Sequence, residues 1–236
     1  MPLFDLAPIP DLPVLDEVQG YPVRRIFCVG RNYAAHAAEM GNEVPEQPFY
    51  FTKSPANLAL SGATLPYPPG TADYHHEVEL VVALGAPLFQ ASPEEAAAAV
   101  YGYGVGLDMT RRDLQIAERK KQRPWDLGKD VEGGAVLGPL TRAGDLGPLE
   151  GRAITLEADG ALRQSSTLDL MIHDVPHLLA HLSGFYTLGP GDLVLTGTPE
   201  GVGPVTPGMT LRGRIEGLTP VTLTLSAPVP RADDMS

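Results

Sequence analysis

The stretch His75-His76-Glu77-Val78-Glu79-Leu80-Val81-Val82 carries the most information in the chain. It starts polar and runs on into Ala83-Leu84, which reads as a strand that enters the core from a solvent-facing end. Residues two apart in a strand face the same way, roughly 6.5 to 7 Å apart, so Glu77 and Glu79 aim two carboxylates at one point. Like charges beside an apolar run are costly unless a cation sits between them. The alternative is a solvated strand end.

Outward from this segment, further short apolar runs follow the same pattern. Strands are predicted at 26–30, 49–53, 101–107, 135–140, 153–159, 192–196, 209–215 and 220–225. The 26 glycines and 24 prolines punctuate these runs instead of clustering, which favours a β-rich, mixed α/β fold over a helical bundle. Short helices are expected over 32–41, from Ser92-Pro93 through the following alanines, from Asp108 or Thr110 towards Lys121, and over 168–182. Five prolines between Pro2 and Pro22 block continuous helix, so residues 1–24 read as an extended arm or a small appended sheet. Residues 25–226 form the main domain, and 227–236 read as a disordered tail.

Composition narrows the function. Twenty-nine acidic against 17 basic residues give a net charge of −12, which argues against nucleic acid or an anionic membrane as partner. No run approaches the roughly 20 apolar residues of a membrane span, and a cytoplasmic location is expected. The single cysteine, Cys28, lies in an apolar run, which leaves no internal disulfide and no thiolate cluster. A bound metal must therefore be held by oxygen or nitrogen.

Asp108 ends the apolar strand that starts at Tyr101, a place where an acid usually caps a helix or binds something. Three oxygen ligands without cysteine suit Mg²⁺ or Mn²⁺. The glycines Gly102, Gly104 and Gly106 fail the dinucleotide fingerprint, because Leu107 stands where its third glycine belongs. Gly197-Thr198-Pro199-Glu200-Gly201-Val202-Gly203-Pro204 lacks the lysine of a phosphate loop and reads as a turn whose bare backbone approaches another group closely.

Several motifs occur in a fixed order: Gly30-Arg31-Asn32-Tyr33 with His36 and Glu39, His76-Glu77-Val78-Glu79-Leu80, and Leu107-Asp108-Met109-Thr110 with Arg112 and Gln115. Lys129 and Thr196-Gly197-Thr198-Pro199 with Gly201-Val202-Gly203-Pro204 complete the set. Together they resemble the fumarylacetoacetate hydrolase family, in particular its acylpyruvase and fumarylpyruvate hydrolase branch. The resemblance implies a β-sandwich roll with short peripheral helices, Mg²⁺ or Mn²⁺ held by Glu77, Glu79 and Asp108, and a homodimer. It also implies a small anionic 2-oxo acid as substrate and a setting in aromatic catabolism. By the same resemblance His36 and Glu39 match a lid dyad, Lys129 the group that stabilises a developing enolate, and Arg112, Gln115, Lys53 and Thr198 the substrate contacts. On their own, His36 and Glu39 read as an ordinary exposed helix face and Lys129 as a surface lysine; His75 and His76 read either as supports of a metal-holding carboxylate or as solvated side chains, and are left off the ligand list.

The implied reaction is hydrolysis of the C–C bond of an acylpyruvate, with fumarylpyruvate favoured. Decarboxylation of oxaloacetate and a catalytically silent dicarboxylate-binding protein are the alternatives. One departure stands out: many relatives follow the lysine with Ser-Phe-Asp, whereas this chain has Lys129-Asp130-Val131-Glu132. In an extended segment Asp130 would point opposite Lys129, which keeps the lysine's role but alters the pocket edge.

Overall fold

The computed structural model describes residues 3–6, 8–41 and 43–230. Strand Val78–Leu84 lies at the centre of an 8-stranded sheet, where every one of its residues is buried. Burial on both faces is why its sequence is a continuous apolar run without polar alternation. It pairs antiparallel with Val100–Asp108 on one side and Asp192–Leu195 on the other. Arg25–Gly30, parallel to Asp192–Leu195, and Phe49–Lys53 extend the sheet to one edge, and Ala135–Leu137 and Leu58–Leu60 extend it to the other.

A 5-stranded sheet, in the order 161–167, 153–158, 210–215, 221–226 and 63–66, packs against one face. Leu80, Val82, Val105 and Leu107 meet Ile154, Leu156, Leu211 and Leu223 in the core between the two sheets. The opposite face, carrying Cys28, Val81, Ala83, Leu193 and Leu195, is covered by Leu12, Val14, Tyr21 and Val23. This gives the N-terminal prolines their use. They keep the arm extended, so that Leu12 bridges Tyr21 and Val14 bridges Leu140 while their side chains roof the sheet.

Most predicted strands stand within two or three residues of their expected ends. The segment read as one strand from His75 is two. Tyr74–His76 joins a 3-stranded sheet with 110–111 and 203–204, and Glu77 is the break before Val78. Strands Leu58–Leu60, Ala63–Pro66 and Ala161–Thr167 are absent from the sequence reading. The last of these, Ala-Leu-Arg-Gln-Ser-Ser-Thr, has no apolar alternation and is held by its ladder to 153–158.

The helix expected over 168–182 is a short 3₁₀ turn at Leu168–Leu170 followed by a separate helix at Val175–Ser183, which Asp174 caps and which carries Pro176 in its first turn. Neither Asp108 nor Thr110 caps Arg112–Lys120, whose N-cap residue is Arg111 without a side-chain bond. Residues 227–230 carry no regular structure, and 231–236 of the expected tail lie outside the described residues. Among the described residues no helix is long and apolar enough to cross a membrane.

Candidate active site

The break at Glu77 turns the end of the central strand towards the end of its neighbour. The Asp108 amide donates to the Glu77 carbonyl at 2.8 Å, so the two strand ends stay joined where the carboxylates emerge. Glu77, Glu79 and Asp108 present oxygen atoms all within 4.8 Å of one another, and all three residues are buried. Three buried acids at that separation repel strongly unless cations intervene.

Some of those cations come from the chain. Lys129 Nζ donates to Glu77 Oε2 and to Asp108 Oδ2, each at 2.7 Å. Arg112 binds the other Glu77 oxygen and also Gln115. Lys53 Nζ lies 2.8 Å from Asp108 Oδ1 and donates to the carbonyls of Met109 and Lys129. Burial alone would raise the Glu77 pKa, but Lys129 and Arg112 outweigh it and hold the carboxyl well below the usual carboxylate range. Lys129 is itself held charged: burial opposes this, and Asp108 and Glu77 overcome it.

Glu79 differs. Its Oε2 accepts from the Gly197 amide at 2.8 Å, and among the described residues it makes no ion pair. Burial, Asp108 and Glu77 push its carboxyl well above the ordinary value. An additional cation between these acids would relieve that cost, and the all-oxygen donor set fits a hard divalent ion. The acidic triad can therefore bind a divalent metal.

The Gly197 turn has the close backbone approach expected of it. Its φ is +95°, and a Cβ there would lie 2.8 Å from Asn32 Cβ, so only glycine brings this amide to Glu79. Thr198, next in line, donates to the Val78 carbonyl at 2.9 Å and lines the pocket. Gln164, absent from the sequence reading, ties this corner together. Its Oε1 accepts from the Val78 amide and faces His76 Nδ1, and its Nε2 donates to Thr198 Oγ1 and the Pro199 carbonyl. A lone glutamine in a polar strand gave no signal, although its complete burial makes these bonds obligatory.

His36 and Glu39 lie on the short helix Ala34–Glu39. His36 is buried and lines the pocket, with Nδ1 turned to Glu39 Oε2 at 3.4 Å. Glu39 accepts from the Gly201 amide at 3.1 Å, which links the helix to the Gly197–Gly203 turn. Burial is the main cause of a His36 pKa below the ordinary 6.5, which favours the neutral imidazole. Asn32, near the helix start, does not cap it. Its side chain donates to the carbonyls of His173 and Thr196 and accepts from the His173 amide.

The structure brings His36, Glu77, Glu79, Arg112, Gln115, Lys129 and Thr198 to one pocket. Lys53 and Asp108 lie behind that wall, where Lys53 holds Asp108 and the backbone that carries Lys129. His76 is buried against Gln164, and His75 pairs with Asp73 at 2.8 Å. The segment after Lys129 is not extended. Lys129 closes the helical turn Asp126–Lys129, and Asp130 turns away to accept from the Ser54 amide and Asn57 Nδ2, each at 2.7 Å. The departure from the usual triplet therefore serves the loop at 54–57, and residues 130–132 do not line the pocket.

Residues 25–226 match the family described as Fumarylacetoacetate (FAA) hydrolase C-terminal. The chain belongs to that family. It is an enzyme of the fumarylacetoacetate hydrolase kind, with the same strand-rich mixed α/β fold. The fumarylpyruvate hydrolase of a Ralstonia species is 51% identical over 185 residues, 76% of this chain and 93% of that one. An oxaloacetate tautomerase of Escherichia coli is 41% identical over 84% of this chain and 90% of its own. Among solved structures, fumarylpyruvate hydrolase of Pseudomonas aeruginosa in complex with Mn²⁺ and pyruvate superposes with a TM-score of 0.92 at 44% identity, covering 96% of this chain and all of that one.

Proposed function

We propose that this enzyme hydrolyses the C–C bond of acylpyruvates, fumarylpyruvate above all, to pyruvate and a carboxylic acid. The observation that carries the reading is a buried His36 in the same pocket as Glu77, Glu79 and Lys129. Hydrolysis needs a base for water as well as a site for the negative charge that develops on pyruvate. The Ralstonia and Pseudomonas fumarylpyruvate hydrolases are the relatives that support the choice of acyl group.

Glu77, Glu79 and Asp108 would hold Mg²⁺ or Mn²⁺, which when bound supplies Lewis-acid polarisation of the 2-oxo acid oxygens. Arg112 and Gln115, buried on one helix face beside Glu77, orient the substrate carboxylate. Glu39 sets the imidazole, and His36 takes a proton from water as the water oxygen bonds to the distal carbonyl carbon, whose π pair moves onto its own oxygen and returns to re-form the carbonyl as the C–C bond breaks. When the bond between that carbon and the pyruvate methylene breaks, its electron pair moves onto the pyruvate oxygen, where Lys129 stabilises the charge. The proton held by His36 then goes to the methylene carbon.

A second reading, oxaloacetate decarboxylation or tautomerisation, is supported by the Escherichia coli tautomerase and by an oxaloacetate decarboxylase of Dictyostelium discoideum at 39% identity. It needs the triad and Lys129 but no attacking water. The discriminating experiment is product analysis. Fumarylpyruvate should yield equimolar pyruvate and fumarate, and a chelator should abolish both. Absence of fumarate would overturn the hydrolytic reading. A cytoplasmic homodimer is part of the same proposal, and light scattering at twice the 25.1 kDa chain mass tests the dimer.

A further inference from the structure

The residues assigned above take the pyruvate head of the substrate and leave its acyl end without a partner. The helix Arg112–Lys120 extends past that head group. Arg112, Gln115, Ile116 and Arg119 all line the pocket, at spacings that place them on one helix face. Seven residues at 1.5 Å each put Arg119 about 10 Å beyond Arg112 along the axis. An extended seven-carbon oxo diacid separates its terminal carboxyl carbons by roughly 7 to 8 Å. A substrate whose head lies at Arg112 and whose chain runs along this helix brings its far end within side-chain reach of Arg119.

Arg31 lines the same pocket, and the backbone commits it there. Its φ is +55°, a left-handed conformation that is costly for a long side chain and clusters at functional sites. The guanidinium lies 5.3 Å from the centroid of the Phe49 ring, and Phe49 packs edge-on against Trp125 at 5.6 Å. A Cβ at Gly30 would collide with the Phe49 ring, so the glycine before Arg31 makes room for this support. Among the described residues Arg31 makes no ion pair with a carboxylate. Burial and the nearby Arg119 pull its pKa below the ordinary value, as expected of two cations facing one cavity. A bound anion would relieve both costs.

We infer that Arg31 and Arg119 form a subsite for a distal carboxylate, so that the enzyme selects 2-oxo acids whose acyl arm ends in a second carboxylate. The inference rests on the hydrolase reading for the placement of the head group, but binding alone can test it. The probes are 2-oxopimelate and 2-oxoheptanoate, which match in length and differ in the far carboxylate, titrated calorimetrically into the Mg²⁺-loaded protein. Wild type should bind 2-oxopimelate at least 10-fold more tightly. That ratio should fall towards one in Arg31→Asn, chosen because asparagine tolerates the positive φ, and independently in Arg119→Gln, with partial recovery in Arg119→Lys. A wild-type ratio near one, or a ratio that both substitutions leave intact, would overturn the subsite. If the ratio behaves as expected but no acylpyruvate is cleaved, the subsite stands and the hydrolytic reading falls.

Discussion

Lys129 occupies the point where two buried carboxylates meet, and its removal has two separable consequences. Without its ammonium, Glu77 and Asp108 are left as poorly compensated buried acids, a change worth about 3 to 5 kcal/mol. Lys129→Met should therefore lower the melting temperature of the metal-free protein, and saturating Mg²⁺ should restore much of the loss because it compensates the same acids. Thermal unfolding with and without Mg²⁺ checks this, and a loss that Mg²⁺ does not reduce would contradict it. Glu79→Ala should do the opposite. It removes a carboxyl that burial and its acidic neighbours already disfavour, so the metal-free protein should stay folded while Mg²⁺ affinity, read by calorimetry, falls on the order of 10²-fold.

His36 adds a pH dependence whose sign follows from burial. Its folded pKa lies below 6.5, so the folded state binds fewer protons than the unfolded one between the two values. Its contribution to stability is thus fully present above about pH 6.5 and is lost as the pH falls through the depressed value. The basic form needed for proton abstraction follows the same course, so the acidic limb of the kcat/KM profile for acylpyruvate cleavage should have its midpoint below the ordinary imidazole value of 6.5. His36→Ala should remove this acidic limb and lower cleavage by on the order of 10²-fold.

Among the elements that line the pocket, the short helix Ala34–Glu39 is held by few contacts. It buries Ala37 and His36, and its far end is tied to the rest of the molecule through Glu39 and the Gly201 amide. Alanines that offer little packing, followed by Gly41 at φ +64°, suit a lid that closes over bound ligand. Amide exchange over residues 34–41 should slow when Mg²⁺ and oxalate are added, and unchanged exchange would count against a lid. The helix base is firmer, because Asn32 makes three side-chain hydrogen bonds to residues 173 and 196. Asn32→Ala should cost about 2 kcal/mol in chemical denaturation and loosen the lid with it.

The elements also show what the sequence could and could not reveal. The strand from Val78 was legible because double burial leaves an unbroken apolar run, and Glu77 and Glu79 were legible because charge is so costly beside one. The break at Glu77 was not, since it is set by pairing with residues 110 and 203, which only the folded chain brings near. Ala161–Thr167 was hidden for a related reason, as its order comes from a neighbouring strand and not from its own apolar pattern. Lys53 reads in sequence as one more cation for the substrate, whereas three-dimensional packing places it behind Asp108, on the backbone that positions Lys129.

For the whole molecule, a chain of net charge −12 encloses a pocket whose wall carries Arg31, Arg112, Arg119 and Lys129. Two sheets and an N-terminal roof bury the central strand on both faces, and the chemistry collects where that strand ends. The fold class could be read from the spacing of turns, and the clustered acids from charge at strand ends. The acyl-end subsite could not be read there, because it combines a loop residue at 31 with a helix residue at 119.

On the proposed mechanism the pocket activates water against an acylpyruvate and does not merely stabilise an enolate. The most direct measurement compares kcat/KM for fumarylpyruvate cleavage and oxaloacetate decarboxylation in the Mg²⁺-loaded wild type, in His36→Ala and in Lys129→Ala. Wild type should prefer fumarylpyruvate, His36→Ala should suppress its cleavage far more than decarboxylation, and Lys129→Ala should impair both. Wild type that decarboxylates oxaloacetate far faster than it cleaves fumarylpyruvate would contradict that mechanism.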